Sequence, residues 1–212
     1  RANRPSCKPL ALAMGFMTDL NPNQARVVLD LAHGWKQSMR RGEALFRFAR
    51  PTAFALIFEK SSLRTRTTFE VGLYQMGAQS VYLTPQDIQM GQREAVRDIA
   101  RNLGRWVQGV VARVFHHSVL HELAQFAGVP VVNALSDYEH PCQALADWMT
   151  IEERKGLRPL TVAWVGDGNN VCHSFVLLSA LLGHTVRVAT PLCTRCACAP
   201  SSARVELGLP HA

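Results

Sequence analysis

The chain has no apolar run of the roughly 18 residues that a membrane-spanning helix requires, and it has no run rich in lysine and arginine. We therefore expect no membrane partner. Acidic residues are fewer than basic ones, 16 against 23 in 212 residues, and the formal net charge of +7 suits anionic partners. Because the basic residues are scattered and no groove-reading motif is present, we expect a small phosphorylated substrate rather than nucleic acid.

Cysteine is also sparse, and its placement argues against a disulfide framework or a metal site. Three of the six cysteines lie in separate segments, which indicates reduced thiols and a cytoplasmic protein. The other three form the string CTRCAC near His211, without the second ligand pair that zinc requires, so we expect no metal. The N-terminal basic residues precede only a short apolar patch with no clear cleavage site, which favours the cytoplasm over secretion.

The segment FEKSSLRTRTTFE, residues 58–70, is the most informative part of the chain. An apolar run, Ala53 to Phe58, predicts a buried strand before it, and Ser62 lies where a helix N-cap belongs. The apolar positions of the following helix, which Gly77 ends, share one face: Phe69, Leu73 and Met76. Free backbone N–H groups and arginine at such a turn favour a phosphate. The alternative is an ordinary capped helix with two solvated arginines.

Strand and helix patterns alternate along the rest of the chain. Predicted strands are Ala78–Leu83, Gly109–Phe115, Pro130–Leu135, Leu160–Val165 and Thr185–Thr190; predicted helices are Arg93–Gln108, Ser118–Ala127, Cys142–Lys155 and Val171–Leu182. This alternation predicts an α/β fold, a parallel sheet flanked by helices, followed by the first βαβ unit of a second α/β domain. We expect the first domain to span residues 1–155 and an incomplete second domain to span 156–212. Its tail from Leu192 onward is atypical.

Three motifs in order resemble those of the aspartate and ornithine carbamoyltransferase family. Ser62–Arg66 is similar to its carbamoyl-phosphate signature, and the string HPCQ at 140–143, continuing to Asp147, is similar to its His-Pro-x-Gln signature. The string GDGNNV at 166–171 resembles the ornithine branch. The resemblance extends from about Thr18 to Pro191, and we expect a chain truncated after that point relative to the family.

The resemblance implies roles for individual residues. Arg64, Arg113 and His140 are the implied catalytic residues, and Asn170 would bind ornithine. The carbamoyl-phosphate site would comprise Ser62, Leu63, Arg64, Thr65, Gln89, Arg113, His140 and Gln143. Leu63 departs from the threonine commonest in the signature, which leaves a backbone N–H contact possible but not a hydroxyl contact. No metal or organic cofactor is implied.

Each of these assignments has a structural alternative. Arg113 could be a surface arginine at a strand end, and His140 a turn residue before proline. The neighbouring His116 and His117 match no family role and fit a loop pair. Gln89, taken alone, is a polar loop residue, whereas the resemblance implies that it reaches the site of a neighbouring subunit in a homotrimer.

The GDGNNV turn also has to be weighed as a dinucleotide-binding turn. Val171 stands where the third glycine of that fingerprint belongs, and no acidic residue ends the next strand to hold a ribose. A nicotinamide-dependent dehydrogenase is therefore disfavoured. The resemblance implies transfer of a carbamoyl group from carbamoyl phosphate to ornithine, giving citrulline and phosphate in arginine metabolism. Two alternatives remain: an aspartate carbamoyltransferase-like enzyme, and an inactive fragment that binds carbamoyl phosphate.

Overall fold

A computed structural model describes residues 17–43, 46–191 and 205–207. It begins with a 3-10 turn, Met17–Asp19, and contains two parallel sheets. The helices are α1 Pro22–Arg40, α2 Leu63–Gln75, α3 Pro85–Ile88, α4 Val96–Trp106, α5 His117–Ala127, α6 Pro141–Lys155 and α7 Asn170–Leu181. The strands are β1 Ala53–Phe58, β2 Gln79–Leu83, β3 Gly109–Arg113, β4 Val131–Leu135, β5 Thr161–Val165, β6 Thr185–Ala189 and β7 Val205–Leu207.

The described residues fall into two compact units. The first comprises Arg47–Val132, and the second comprises the described parts of Phe16–Phe46 and Asn133–Ala212. The second unit thus includes α1 as well as α6, although the sequence analysis assigned both to the first domain. The predicted domain boundary after Lys155 stays a prediction.

The four-stranded sheet has the order β2-β1-β3-β4, with β1 and β3 in its centre. Ala55 through Phe58 are buried, as expected for a strand covered on both faces. The β1–β3 pairing is parallel and sets Phe58 opposite Arg113, so the carboxyl ends of these strands lie side by side. The predicted α/β fold is confirmed.

The helix α2 confirms the prediction made from the 58–77 segment. Ser62 is its N-cap, and the Ser62 side chain accepts a hydrogen bond from the Thr65 N–H. The helix ends at Gln75, and Gly77 takes the left-handed conformation that ends such helices without strain.

Helices α1 and α3 were not predicted. The signal for α1 was a capping box, in which Asn21 and Gln24 each bond the other's backbone N–H around Pro22. Helix α3 has only four residues, too few for a periodic pattern. The start of α4 was placed too early, since the helix begins at Val96 rather than Arg93. The predicted CTRCAC feature lies outside the described residues.

Helix α1 packs in the second unit around a buried carboxylate of α6. Glu152 is 7% exposed and accepts hydrogen bonds from two nitrogens of Arg26, at 2.6 and 3.0 Å. His33 lies 2.9 Å from the same carboxylate. Burial acts to raise the pKa of Glu152, but the bonds from Arg26 and His33 more than offset it, so its pKa lies below the ordinary value.

Glu152→Gln should destabilise the second unit by about 3 kcal/mol at pH 7, the lower end for breaking a buried pair, because Arg26 remains partly exposed. A carboxyl with a lowered folded-state pKa stabilises the fold above its unfolded value and loses that effect as pH falls through the folded value. The difference between wild type and variant should therefore shrink below about pH 4.5. Urea unfolding of both proteins at a series of pH values measures this difference in the free energy of unfolding. A difference that does not change with pH would contradict this account.

Close packing of α4 on α5 requires a glycine at position 104. A Cβ there would overlap the backbone carbonyl of Ala127. Gly72 in α2, by contrast, has no atom within 4 Å of such a Cβ.

Gly104→Ala should lower the free energy of unfolding by about 1–3 kcal/mol, because backbone atoms must move to admit the methyl group. Gly72→Ala is the matched control and should raise it by about 0.5–1 kcal/mol, since alanine costs less entropy in a helix. Urea midpoints of the two variants test this. Equal effects would show that the α4–α5 approach is not as close as the structure has it.

Candidate functional site

The turn between β1 and α2 presents an exposed arginine at a helix N-terminus. Ser62 lies in an extended conformation, and its hydroxyl caps the Thr65 N–H at 3.3 Å. Leu63 is 84% exposed, so its side chain is not needed to pack the turn. Within the part of the chain that the structure describes, the side chain of Arg64 has no hydrogen bond or ion pair. The turn therefore offers a free guanidinium and helix N–H groups to an anion.

The two arginines of this turn differ in role. Arg66 is bonded to Glu70 at 3.0 Å, and its guanidinium stacks over the Tyr82 ring at 3.5 Å. The stacking on Tyr82 ties α2 to β2, and the bond to Glu70, within α2, raises the pKa of Arg66. The sequence analysis assigned Arg64 and not Arg66 to the phosphate site, and the contacts of Arg66 give it a structural role instead.

Arg113 ends β3, beside the carboxyl end of β1, and its side chain is half-buried. Its Nε is buried and has no hydrogen-bond partner among the described residues. Burial lowers the pKa of its guanidinium below the ordinary value. A buried donor without a partner costs free energy, and such an atom in a native structure requires an explanation. An anion held at this edge of the sheet would supply one.

Glu59, which the sequence analysis did not single out, fixes the backbone around Arg113. The Glu59 N–H donates to the Arg113 carbonyl at 2.9 Å, and the Glu59 carboxylate accepts from the Phe115 N–H at 2.7 Å. The position of an acidic residue directly after a buried strand was the available signal. These bonds extend the β1–β3 pairing past the strand ends and hold the Arg113 side chain at the edge.

Gln89 lines a cavity of about 390 Å³ in the first unit, together with Phe58, Glu59 and Phe115. Gln89 is the C-cap of α3 and has φ 42°, the one positive φ at a non-glycine position in the described ranges. Thr84 and Asp87 hold the short helix with a capping box, and the hydrogen bonds from Thr84 lower the pKa of Asp87. The strained backbone at Gln89 is of the kind that clusters at functional sites.

His140 occupies the N-cap position of α6 in the second unit, and Pro141 begins the helix. Gln143 is exposed on the first turn, where its Nε2 donates to Asp147 at 2.9 Å. The thiol of Cys142 between them lies 3.5 Å from the Asn133 carbonyl, and burial raises its pKa to about 11. Cys142 is therefore not an activated nucleophile.

Asn169 and Asn170 have different roles at the start of α7. Asn169 is the N-cap, and its side chain accepts from the Val171 and Cys172 N–H groups. Asn170 donates from Nδ2 to the Ser136 carbonyl at 2.6 Å, which brings it to the loop that leads to His140. The GDGNNV string is thus a strand-to-helix turn, as predicted.

The structure places the sequence-derived residues in two groups. The first unit brings Ser62, Leu63, Arg64 and Thr65 to one sheet edge with Arg113, where the cavity at Gln89 also opens. The second unit brings together His140, Gln143 and Asn170. Their functional assignment stays a prediction. Among the described residues no cluster of metal-ligating side chains is present, and no described helix is long and apolar enough to cross a membrane.

Residues 15–153 match the family described as aspartate/ornithine carbamoyltransferase, carbamoyl-P binding domain. Ornithine carbamoyltransferase from Thermus thermophilus is 52% identical over 171 residues, covering 80% of this chain and 56% of the relative. The enzyme of the same name from Carboxydothermus hydrogenoformans is 48% identical over 176 residues, covering 82% of this chain and 56% of the relative. The chain thus spans about half the length of these relatives.

Solved structures show the same likeness. Ornithine carbamoyltransferase from Pyrococcus furiosus superposes with a TM-score of 0.84 at 40% identity, covering 87% of this chain and 59% of that one. The structure of the Thermus thermophilus enzyme gives a TM-score of 0.76 at 47% identity, covering 85% of this chain and 62% of that one.

Proposed function

The chain belongs to the aspartate/ornithine carbamoyltransferase family, and we propose that it transfers the carbamoyl group of carbamoyl phosphate to ornithine, giving citrulline and phosphate. The observation that carries the proposal is the sheet edge of the first unit. A free Arg64, a helix N-terminus and a buried donor of Arg113 lie at the carboxyl ends of two adjacent parallel strands. Ligands of α/β sheets bind at this edge.

The first unit would hold the phosphate end of the donor substrate. A phosphate dianion would bind at the N-terminus of α2, where the helix dipole favours negative charge. Its hydrogen-bond donors there would be the N–H groups of Leu63 and Arg64, the hydroxyls of Ser62 and Thr65, and the Arg64 guanidinium. Arg113 would reach a phosphate or carbonyl oxygen with its unpartnered nitrogen. Gln89 lines the adjoining cavity, and by family likeness it would serve a neighbouring subunit.

The residues of the second unit have the roles that the family likeness implies. His140 would donate to the carbamoyl oxygen as that oxygen gains charge, which is stabilisation of an oxyanion and does not require His140 to act as a base. Gln143 carries both a donor and an acceptor for the carbamoyl amide. Asn170 would bind the amino-acid end of ornithine.

The reaction needs no electron transfer and no resident cofactor. The neutral side-chain amine of ornithine attacks the carbonyl carbon, a C–N bond forms, and the C–O bond to phosphate breaks. The amine loses one proton, and phosphate leaves with the electron pair. Positioning the two substrates accounts for much of the rate, because well-oriented groups gain roughly 7–11 kcal/mol over free reactants.

Ornithine is favoured over aspartate as the acceptor. The Asn169–Asn170 pair resembles the ornithine branch, and the relatives described above carry the name ornithine carbamoyltransferase. Parallel assays with each amino acid would separate the two activities. A place in arginine metabolism is part of the same proposal. So is a cytoplasmic location, which the free thiols of Cys142 and Cys172 support.

Arg64→Ala should weaken carbamoyl-phosphate binding by about 10-fold or more, because a charge-assisted bond contributes about 1.5–3 kcal/mol. Calorimetry on the 212-residue chain measures the affinity. Arg66→Ala is the matched control. It removes a guanidinium of the same helix that is already bonded to Glu70 and stacked on Tyr82. It should lower stability slightly and leave the affinity within about two-fold. Equal losses in the two variants would contradict the separate roles of these arginines.

The family resemblance also predicts a homotrimer in which Gln89 completes a neighbour's site. Sedimentation at micromolar concentration should give three times the chain mass of 23.5 kDa, and a monomer alone would count against it. In a full-length relative, mixing subunits that carry the equivalents of Arg113→Ala and Gln89→Ala should restore part of the activity, since some mixed sites contain neither change. No gain on mixing would place Gln89 in its own subunit's site.

A further inference from the structure

One face of α7 contacts the loop 136–140 at three successive points. Asn170 donates to the Ser136 carbonyl at 2.6 Å, and the His173 Nδ1 lies 3.0 Å from the Tyr138 carbonyl. The Ser174 hydroxyl accepts from the His140 N–H at 2.8 Å. The three helix residues have the spacing i, i+3 and i+4, so they share one face. Because a carbonyl only accepts, the proton of the His173 ring lies on Nδ1.

The bond from His140 to Ser174 replaces a bond that α6 does not make for itself. In a capping box, the backbone N–H of the N-cap is bonded by the side chain three residues later. That residue in α6 is Gln143, and its amide bonds Asp147 instead. Ser174, which is fully buried and belongs to α7, accepts the hydrogen bond from the His140 N–H instead. The Gln143 side chain thus stays out of the cap, on the first turn of α6 where the proposed reaction needs it.

We propose that Ser174 is a positioning residue for His140, holding the His140 backbone so that its ring meets the carbamoyl oxygen. The inference rests on the proposed function for the role of His140, while the positioning itself rests on the hydrogen bond alone. Asn170 and His173 fix the approach of the loop, and Ser174 bonds the backbone N–H of His140. Ser174 acts through His140 and touches no substrate.

Ser179 provides a matched control on the same helix. Its hydroxyl is also fully buried, accepts from the Trp148 Nε1 at 2.9 Å and donates to the Phe175 carbonyl. Ser179→Ala therefore removes a buried hydroxyl of α7 that has no bond to the loop 136–140. Loss of stability is expected from both serine changes, whereas a change at His140 is expected from Ser174 alone.

The first measurement is amide hydrogen exchange at His140 in the 212-residue chain. In Ser174→Ala the exchange rate of the His140 N–H should rise at least 10-fold relative to wild type, and in Ser179→Ala it should follow only the global change in stability. Ser174→Cys keeps most of the side-chain volume with a weak acceptor and should also raise the rate, which guards against a poorly folded alanine variant. An unchanged rate at His140 in Ser174→Cys and Ser174→Ala would overturn the positioning role.

The second measurement is carbamoyl-phosphate affinity in a double-mutant cycle. If Ser174 acts through His140, then Ser174→Ala should weaken binding several-fold in wild type and have no further effect in His140→Ala. Independent losses that multiply would overturn the proposal. If the unmodified chain binds no carbamoyl phosphate, the proposed function fails, while the exchange measurement still decides whether Ser174 holds His140.

Discussion

The parallel pairing of β1 with β3 is the constraint on which the candidate site of the first unit depends. It sets Phe58 opposite Arg113, and Glu59 continues the pairing with bonds to the Arg113 carbonyl and the Phe115 N–H. Because the strands are parallel, the turn into α2 and the end of β3 open at the same edge. A register shift of one residue would turn the Arg113 side chain to the other face of the sheet.

In each unit, at least one side chain proposed to act on substrate is not needed to hold its own helix. Ser62 caps α2 and Arg66 anchors it, which leaves Arg64 with no structural task. At α6, Ser174 bonds the N-cap residue from outside the helix, and Gln143 is not used as a cap. A side chain released from holding its own helix can meet a ligand without loss of local structure. Substitutions at the anchoring and at the acting positions should therefore separate stability from binding.

The sequence was sufficient for features that depend on neighbouring residues. The β1 run, the Ser62 cap and the glycine after α2 could all be predicted, because burial on both faces, capping and left-handed backbone leave local signatures. The role of Ser174 could not be predicted, since its bond joins residues 34 positions apart. The position of Glu59 after a strand was a signal, but its partner Phe115 lies 56 positions away and could not be predicted. Helix α1 was missed although the sequence contains its capping box, because exposed apolar residues such as Val27 and Leu31 obscure the buried face that Ala25 and Leu29 form. The different tasks of Arg64 and Arg66 required knowing where Tyr82 lies.

Two features at one edge of the first unit lower the stability of the fold, and the packed core beneath them offsets this loss. Arg113 keeps a buried nitrogen without a partner among the described residues, and Gln89 keeps a left-handed backbone at a non-glycine position. Each costs of order 1–3 kcal/mol. Four consecutive buried residues of β1 and the close α4–α5 contact at Gly104 hold the scaffold that offsets them. A donor held in place before its acceptor arrives needs no reorganisation on binding. For this reason such a site would stabilise the charge of a transition state more than water does.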